Sequence, residues 1–196
     1  DVAGDEAAAD RLVAELDRSQ ATRGDTGVSS ARPWIVEILV RRRRFDEARR
    51  RLAVVDPSRD RQNLDLTYEA WAELIAEEGA WSEAPKIIAE AREWAARGGL
   101  LALPAFVDRL EGRMLVARGD LPAAVQRLRS ARATLDHLEA AWERARVELD
   151  LADALLALDR RLEAVEVVDA ARATLERVNA PMELARAREL RSSVSG

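Results

Sequence analysis

Few residues of this 196-residue chain are of types that carry out catalysis. The sequence has no cysteine and one histidine, which excludes thiolate nucleophiles, disulfides, thiolate zinc sites and clusters of histidine ligands. A histidine-based triad would have to use His137, which has Asp136 and Glu139 nearby but no nucleophile in sequence range. We interpret His137 as a structural residue late in a helix, where the helix dipole favours a cation.

Carboxylate pairs are the second chemistry to consider. Glu69, Glu73 and Glu77 recur every four residues and therefore share one face of a helix. They could supply paired carboxylates, but a solvated face is the favoured interpretation because glutamate is a strong helix former. No glycine loop for phosphate is present, since Gly98 and Gly99 form an isolated pair that predicts a helix terminator. We expect no enzyme activity, no catalytic residue, no cofactor and no metal.

The arginines are concentrated in one segment. Net charge is −5, which argues against direct nucleic-acid binding, yet residues 31–61 hold ten arginines and five acids. The cluster comprises Arg41, Arg42, Arg43, Arg44, Arg49, Arg50 and Arg51. It is either a patch for an anionic partner or a solvated turn neutralised by acidic helices. The second interpretation is favoured because no aromatic residues interleave the arginines.

The ends and the hydropathy pattern bear on location. The chain begins at Asp1 without a charged-then-apolar leader, which predicts no secretory signal. No stretch approaches the ~18 apolar residues that a membrane helix requires. We therefore expect a cytoplasmic protein with no membrane partner.

An internal repeat organises the chain. When residues 115–150 are compared with 155–190, thirteen of 36 positions are identical, including the block 131–135 against 171–175. The turn within each repeat ends on an alanine. We expect this alanine to lie where two helices come closest, because a larger side chain would overpack the contact. These closing alanines are Ala9, Ala48, Ala84, Ala124 and Ala164.

Apolar residues with a 3.6-residue period predict only helices, and no strand pattern occurs. The predicted helices span about 4–18, 31–42, 45–55, 64–78, 81–97, 104–118, 121–138, 141–158, 161–178 and 181–194. Together they predict an all-α fold, an α-solenoid of antiparallel helix pairs with a period of about 40 residues. We predict a single domain, 1–196, with a half repeat at 4–18, repeats at about 31–55, 64–97, 104–138 and 141–178, and a final helix at 181–194. The half repeat indicates a segment of a longer array, because a solenoid ordinarily starts with a polar cap.

The repeat resembles the tetratricopeptide repeat. Trp71 and Ala72 match its first helix, Gly79 and Trp81 match its turn, and Ala84 matches its closing alanine. The period is longer than the ~34 residues of the standard repeat, and most aromatic positions are aliphatic. The version is similar to the helical C-terminal region of large bacterial signalling proteins, either cyclase-like proteins with an AAA-type ATPase module or LuxR/AfsR-type regulators.

The place of each tryptophan in the repeat predicts its role. Trp71 and Trp81 stand at repeat-defining positions and are predicted to be core, as is Trp34 in its own helix. Trp94 and Trp142 lie outside the motif. Packing between repeats is the favoured role for both, with an exposed anchor as the alternative for Trp142.

The resemblance also implies a site, because the first helices of tetratricopeptide proteins line the concave surface. That rule predicts ten groove residues: Glu37, Arg41, Glu69, Glu73, Phe106, Arg109, Arg113, Arg146, Leu149 and Asp153. The first hypothesis is a non-catalytic scaffold for protein–protein or interdomain contact within a signalling or transcription regulator. The alternative is a sensor domain that binds a small-molecule effector in the groove. An enclosed groove with convergent arginines would favour the sensor, and an open groove would favour protein contact.

Overall fold

The computed structural model describes residues 10–15, 18, 32–59 and 61–194, and most of these residues are helical. The helices with defined bounds are α1 (Arg32–Arg41), α2 (Phe45–Ala53), α3 (Leu64–Glu78), α4 (Ala84–Ala96), α5 (Leu103–Ala117), α6 (Leu121–His137), α7 (Ala141–Ala157), α8 (Arg161–Arg177) and α9 (Pro181–Val194). A short 3-10 helix, Arg61–Asn63, precedes α3. The described residues include no strand, which confirms the all-α prediction.

The helix bounds follow the apolar periodicity closely. Eight of the nine helices begin and end within two residues of the predicted bounds, and α4 is the exception. Residues 81–83 form a turn rather than its first helical residues, and Pro85 lies in the first turn of α4, where its missing N–H costs little. Of the predicted helix 4–18, residues 10–15 and 18 are helical. The rest of that helix, with Ala9 and the loop at 19–30, lies outside the described residues.

The turns have their own period. Residues 79, 99, 119, 139, 159 and 179 all have positive φ and therefore stand 20 residues apart. The first three are glycines, but the others are Glu139, Asp159 and Asn179, with φ between 53° and 57°. L-residues adopt this left-handed conformation at a cost, so the repeated geometry imposes the turn even where glycine is missing. Each 40-residue sequence repeat thus contains two successive 20-residue units, and each unit consists of one helix and one turn.

Residues Asp1–Ala80 form the first of two compact units. Within it α1 packs against α2 and α3, and α2 against α3. Ile35 and Leu39 of α1 pack in its core with Ala48, which is fully buried as its predicted place at a close helix contact requires. The helical stretch 10–15 adds Val13 to this core.

Residues Trp81–Gly196 form the second unit, with α4 to α9. Each of these helices packs against the next one in sequence, and α7 packs in addition against α5 and α9. The core is built from leucines and valines of α6, α7 and α8, and Ala124 and Ala164 are fully buried. Three helices of equal length, 17 residues each, form the centre of the unit.

Gly112 of α5 lies at a close contact between α5 and α6. A Cβ placed there would lie 2.6 Å from Cγ of Leu128 and 3.4 Å from the carbonyl oxygen of Ala124. Because real Cβ atoms do not come so near another carbon atom, only glycine lets α5 and α6 pack at this distance. Glycine at position 112 is thus a steric requirement for the packing of α5 on α6.

Candidate functional site

The structure separates the ten predicted groove residues into two sets. Five are buried: Glu69, Phe106, Arg109, Arg146 and Leu149. The other five are partly or fully exposed: Glu37, Arg41, Glu73, Arg113 and Asp153. A buried side chain offers no surface to a ligand, so the buried five are packing residues in this structure. Ligand contact remains a prediction for the exposed five alone.

A chain of ion pairs joins three of the helices in the second unit. Asp150 of α7 is buried, and its Oδ2 accepts a hydrogen bond from Nε of Arg109 on α5 at 2.7 Å. Its Oδ1 accepts one from Nη1 of Arg186 on α9 at 2.8 Å. Arg186 also donates through Nη2 to Asp153, one turn along α7. We call these four residues, Arg109, Asp150, Arg186 and Asp153, the ion-pair chain.

The charges of the ion-pair chain strengthen one another. Burial alone would raise the pKa of Asp150, but the guanidinium groups of Arg109, Arg186 and Arg113 outweigh burial and hold that pKa well below 3.8. Burial would likewise lower the pKa of Arg186, but Asp150 and Asp153 outweigh burial and raise that pKa above its ordinary value. Asp150 therefore stays ionised, and it binds α5 and α9 to α7 at any physiological pH.

Sequence reasoning included Arg109 and Asp153 but missed Asp150 and Arg186. A usable signal for Arg186 was the repeat itself, because Arg186 is the copy of Arg146 forty residues on. Asp150 gave no such signal, since the equivalent position 110 is a leucine.

A second buried carboxylate lies at the interface of α6 and α7. Glu148 is 1% exposed, and its Oε1 is 3.1 Å from Nε of Arg132 and 3.8 Å from Nε of Arg144. Its Oε2 has no hydrogen-bond partner. Burial raises the pKa of Glu148, and the opposing attraction of Arg132 and Arg144 does not compensate for it.

The arginine cluster of the first unit is largely neutralised by acids. Arg41 pairs with Glu37 at 2.6 Å. Arg44 pairs with Asp10 at 2.6 Å and also with Glu47. Further pairs join Arg49 to Glu78 and Arg51 to Glu47. These pairs favour the ion-paired turn over a patch for an anionic partner.

The aromatic residues predicted to be core are not all buried, and Trp81, one of them, is half-buried. Trp34 was predicted to be core, but it is 53% exposed, because it lies on the side of α1 opposite Ile35 and Leu39. Trp142 packs against the core of the second unit, as favoured, and Arg146 stacks on its ring at 4.5 Å. Trp71 packs partly buried against the core of the first unit.

The second unit also has an open hollow on the surface of α6 and α8. Its volume is about 490 Å³, and its lining residues are Arg132, Leu162, Glu163, Glu166, Val167 and Ala170. Glu163 pairs with Arg129 and Arg160, so part of the charge there is already compensated. The residues that line the hollow belong to α6 and α8, whereas the predicted groove residues of this unit belong to α5 and α7.

His137 is exposed at the last position of α6. Among the described residues no group of three histidine, aspartate or glutamate side chains is placed to hold a metal ion. In the part of the chain that the structure describes, no helix combines the length and apolar character needed to cross a membrane.

Comparison with known proteins adds no family. No family model, no curated protein and no solved structure matches the chain.

Proposed function

We propose that this chain is a tetratricopeptide-like solenoid that serves as a non-catalytic scaffold for protein–protein or interdomain contact. The setting that the resemblance favours is a bacterial signalling or transcription regulator in the cytoplasm. The observation that carries the proposal is the ion-pair chain. Arg109, Asp150 and Arg186 come from α5, α7 and α9, which the repeat pattern makes the first helices of successive pairs.

Ion pairs that join helices inside the fold, as in the ion-pair chain, support the proposal of a scaffold function. A buried, doubly paired carboxylate fixes the spacing of the helices, and a rigid array presents its surface side chains in a constant arrangement. Binding then depends on those surface side chains, and the polar groups inside serve the architecture.

The same geometry bears on the sensor alternative. A sensor for an anionic effector would direct its arginines towards the ligand, but Arg109 donates to Asp150 and Arg146 stacks on Trp142. The hollow on α6 and α8 is open and has carboxylates at its edge. Both observations support protein contact over an enclosed effector pocket.

The test begins with the full-length gene product. A cyclase or ATPase module upstream would support the proposed parent, and its remaining domains then provide the partner for a binding measurement by calorimetry. Charge reversal at Glu37, Arg41 and Glu73, which are partly or fully exposed groove positions outside the ion-pair chain, is expected to weaken that binding at least fivefold. Charge reversal at Glu176, an exposed residue of α8 outside the predicted groove, is the matched control. Equal binding by all four variants would refute the groove assignment, and an open reading frame that starts near Asp1 would refute the parent.

A further inference from the structure

Arg132 connects the hollow on α6 and α8 to a buried carboxylate. It lines the hollow, and its Nε lies 3.1 Å from Oε1 of Glu148 on α7. Glu148 is 1% exposed, and its Oε2 has no hydrogen-bond partner among the described residues. Nε of Arg144 is 3.8 Å from Oε1, which is too long for a hydrogen bond. A buried carboxylate oxygen without a donor is costly, so a donor that reaches Oε2 from the hollow is bound favourably.

Forty residues earlier, the corresponding carboxylate has its donors. Asp108 of α5 precedes Glu148 by forty residues, and α5 packs on α6 much as α7 packs on α8. Oδ2 of Asp108 accepts a hydrogen bond from Oγ of Ser130 at 2.5 Å, and Oδ1 accepts one from Nη1 of Arg127 at 3.5 Å. Arg127 also donates through Nε to Glu111 at 2.8 Å. In that repeat α6 therefore supplies a hydroxyl and a guanidinium to a carboxylate of α5.

Both donors are missing forty residues on, and the residues that replace them line the hollow. Val167 of α8 stands at the position that corresponds to Arg127. Ala170 stands at the position that corresponds to Ser130. Neither side chain has a hydrogen-bond donor, so α8 supplies none to Glu148 from these positions. The open volume of about 490 Å³ is thus where an arginine and a serine side chain lie one repeat earlier.

The lining of the hollow suits the side chain of an additional arginine. Val167 and Ala170 provide apolar surface for its methylene groups, and Glu166 is an exposed carboxylate at the edge. The charge of Arg132 does not prevent a second guanidinium from binding Glu148, because this chain places two arginines on one carboxylate elsewhere, as at Asp150. The side chain of Arg132 is 44% exposed, so it can turn aside without loss of core packing.

We propose that the hollow on α6 and α8 binds an arginine side chain of a partner protein, whose guanidinium donates to Oε2 of Glu148 and whose methylenes lie on Val167 and Ala170. The chemistry of the occupant follows from the preceding repeat, where Arg127 donates to the carboxylate at the corresponding position. The existence of a partner rests on the proposed scaffold function, but the site lies on α6 and α8, outside the predicted groove residues.

The test uses N-acetylarginine amide as the probe, titrated into the isotope-labelled chain and followed by NMR. N-acetylcitrulline amide is the matched probe, because citrulline has the shape of arginine without its charge. We expect saturable binding of the arginine probe in the millimolar range, with shifts of amide signals in α6 and α8. Binding of the citrulline probe should be weaker by about tenfold or more, since charged hydrogen bonds are the stronger ones.

Two results of these titrations would overturn the proposal. Absence of saturable binding would mean that water completes the bonding of Glu148. Equal binding of the two probes would mean that the hollow does not recognise the charge. A third probe, propylguanidinium, separates the sources of the guanidinium group. If it binds and N-acetylarginine amide does not, the hollow takes a free small cation, and the assignment to a partner's side chain is wrong.

Ala170→Arg tests the location of the site. Ala170 is exposed on α8, so the new arginine is accommodated, and its guanidinium competes for the hollow from within the chain. We expect it to weaken binding of the arginine probe by about tenfold or more. Ala173→Arg makes the same change at an exposed alanine of α8 that does not line the hollow, and it should bind like the native chain. Equal binding by both variants would place the site elsewhere and refute the proposal.

Glu148→Gln tests the acceptor. The amide has the size of the carboxylate and removes a buried charge, so this variant is expected to fold, which circular dichroism checks. It should bind the arginine probe more weakly by about tenfold or more, whereas Glu176→Gln, at an exposed position of α8, should bind it unchanged. Native affinity in Glu148→Gln would contradict the assignment of Oε2 as the acceptor. Since no titration involves a domain of the parent regulator, failure here and failure of the scaffold proposal are separate results.

Discussion

Replacement of Asp150 by asparagine is the most direct test of the ion-pair chain. The carboxylate is buried and accepts two hydrogen bonds from charged donors, Arg109 at 2.7 Å and Arg186 at 2.8 Å. Hydrogen bonds to charged groups contribute about 1.5–3 kcal/mol each. Removing one partner of a buried ion pair costs about 3–5 kcal/mol, because the remaining charge stays buried. The two values agree, and we expect Asp150→Asn to lower the free energy of unfolding by about 3–5 kcal/mol.

Asp153→Asn is the matched control. Asp153 pairs with the same Arg186, but its side chain is 44% exposed, so water replaces much of the lost interaction. We expect a loss of less than about 1 kcal/mol for this variant. The two variants make the same chemical change one turn apart on α7, so their difference isolates burial and the contact with Arg109.

The assay is urea denaturation followed by far-UV circular dichroism, with the slope compared between variants. The pH dependence of the stability difference between the native chain and Asp150→Asn gives an independent check. Since the folded pKa of Asp150 lies below 3.8, its contribution is complete above that pH and is lost as the pH falls through the folded value. The deficit of Asp150→Asn should therefore be constant between pH 5 and 8. A deficit below 1 kcal/mol, or one equal to that of Asp153→Asn, would refute the reasoning.

Four further changes have defined outcomes. Gly112→Ala should lower the free energy of unfolding by about 1–3 kcal/mol in urea denaturation, because its Cβ would overlap Leu128, and an unchanged midpoint would contradict the close contact. Glu139→Gly should raise it by about 0.5–1 kcal/mol by relieving the positive φ, whereas Glu139→Ala, which keeps the cost, should give no gain. Burial raises the pKa of Glu148, so stability present below pH 4.5 is lost as the pH rises through the folded value. Glu148→Gln should gain on the native chain from pH 4.5 to 7.5 in urea titrations, and a shrinking difference would reverse the assignment. Replacing the pair together, as Arg109→Met with Asp150→Leu, should recover at least half of the loss in Asp150→Asn, and no recovery would argue against an uncompensated charge as its cause.

The arrangement of charges explains why chemistry-bearing residues were a poor guide to this protein. Arg109 and Arg146 suggested a groove because the resemblance assigns both to first helices, which line the concave surface of tetratricopeptide proteins. In the structure one is bonded to Asp150 and the other stacks on Trp142, so both contribute to packing. Residues that would bind an anion in an open groove thus serve to hold helices together when that surface is buried.

Local information was sufficient for the helices, the turns and the close contacts. Helix bounds depend on apolar periodicity and on residues at the ends, which are all near in sequence. Ala48, Ala124 and Ala164 were predicted to lie at close helix contacts, where a larger side chain would not fit, and all three are fully buried. The contact with Leu128 gives the physical reason for a glycine at position 112 within α5.

Only the tertiary structure decided which charges meet and which side chains are buried. Arg109 and Asp150 are 41 residues apart, and no local pattern sets the rotation and crossing of α5 against α7 that brings them to 2.7 Å. The packing of the helices within each unit likewise decided that Leu149 of α7 is buried and that Trp34 of α1, predicted to be core, is exposed. The sequence by itself therefore determined the helices and their spacing, because these depend on neighbours along the chain. The partners of the buried charges depend on how helices pack, which is a property of the assembled unit.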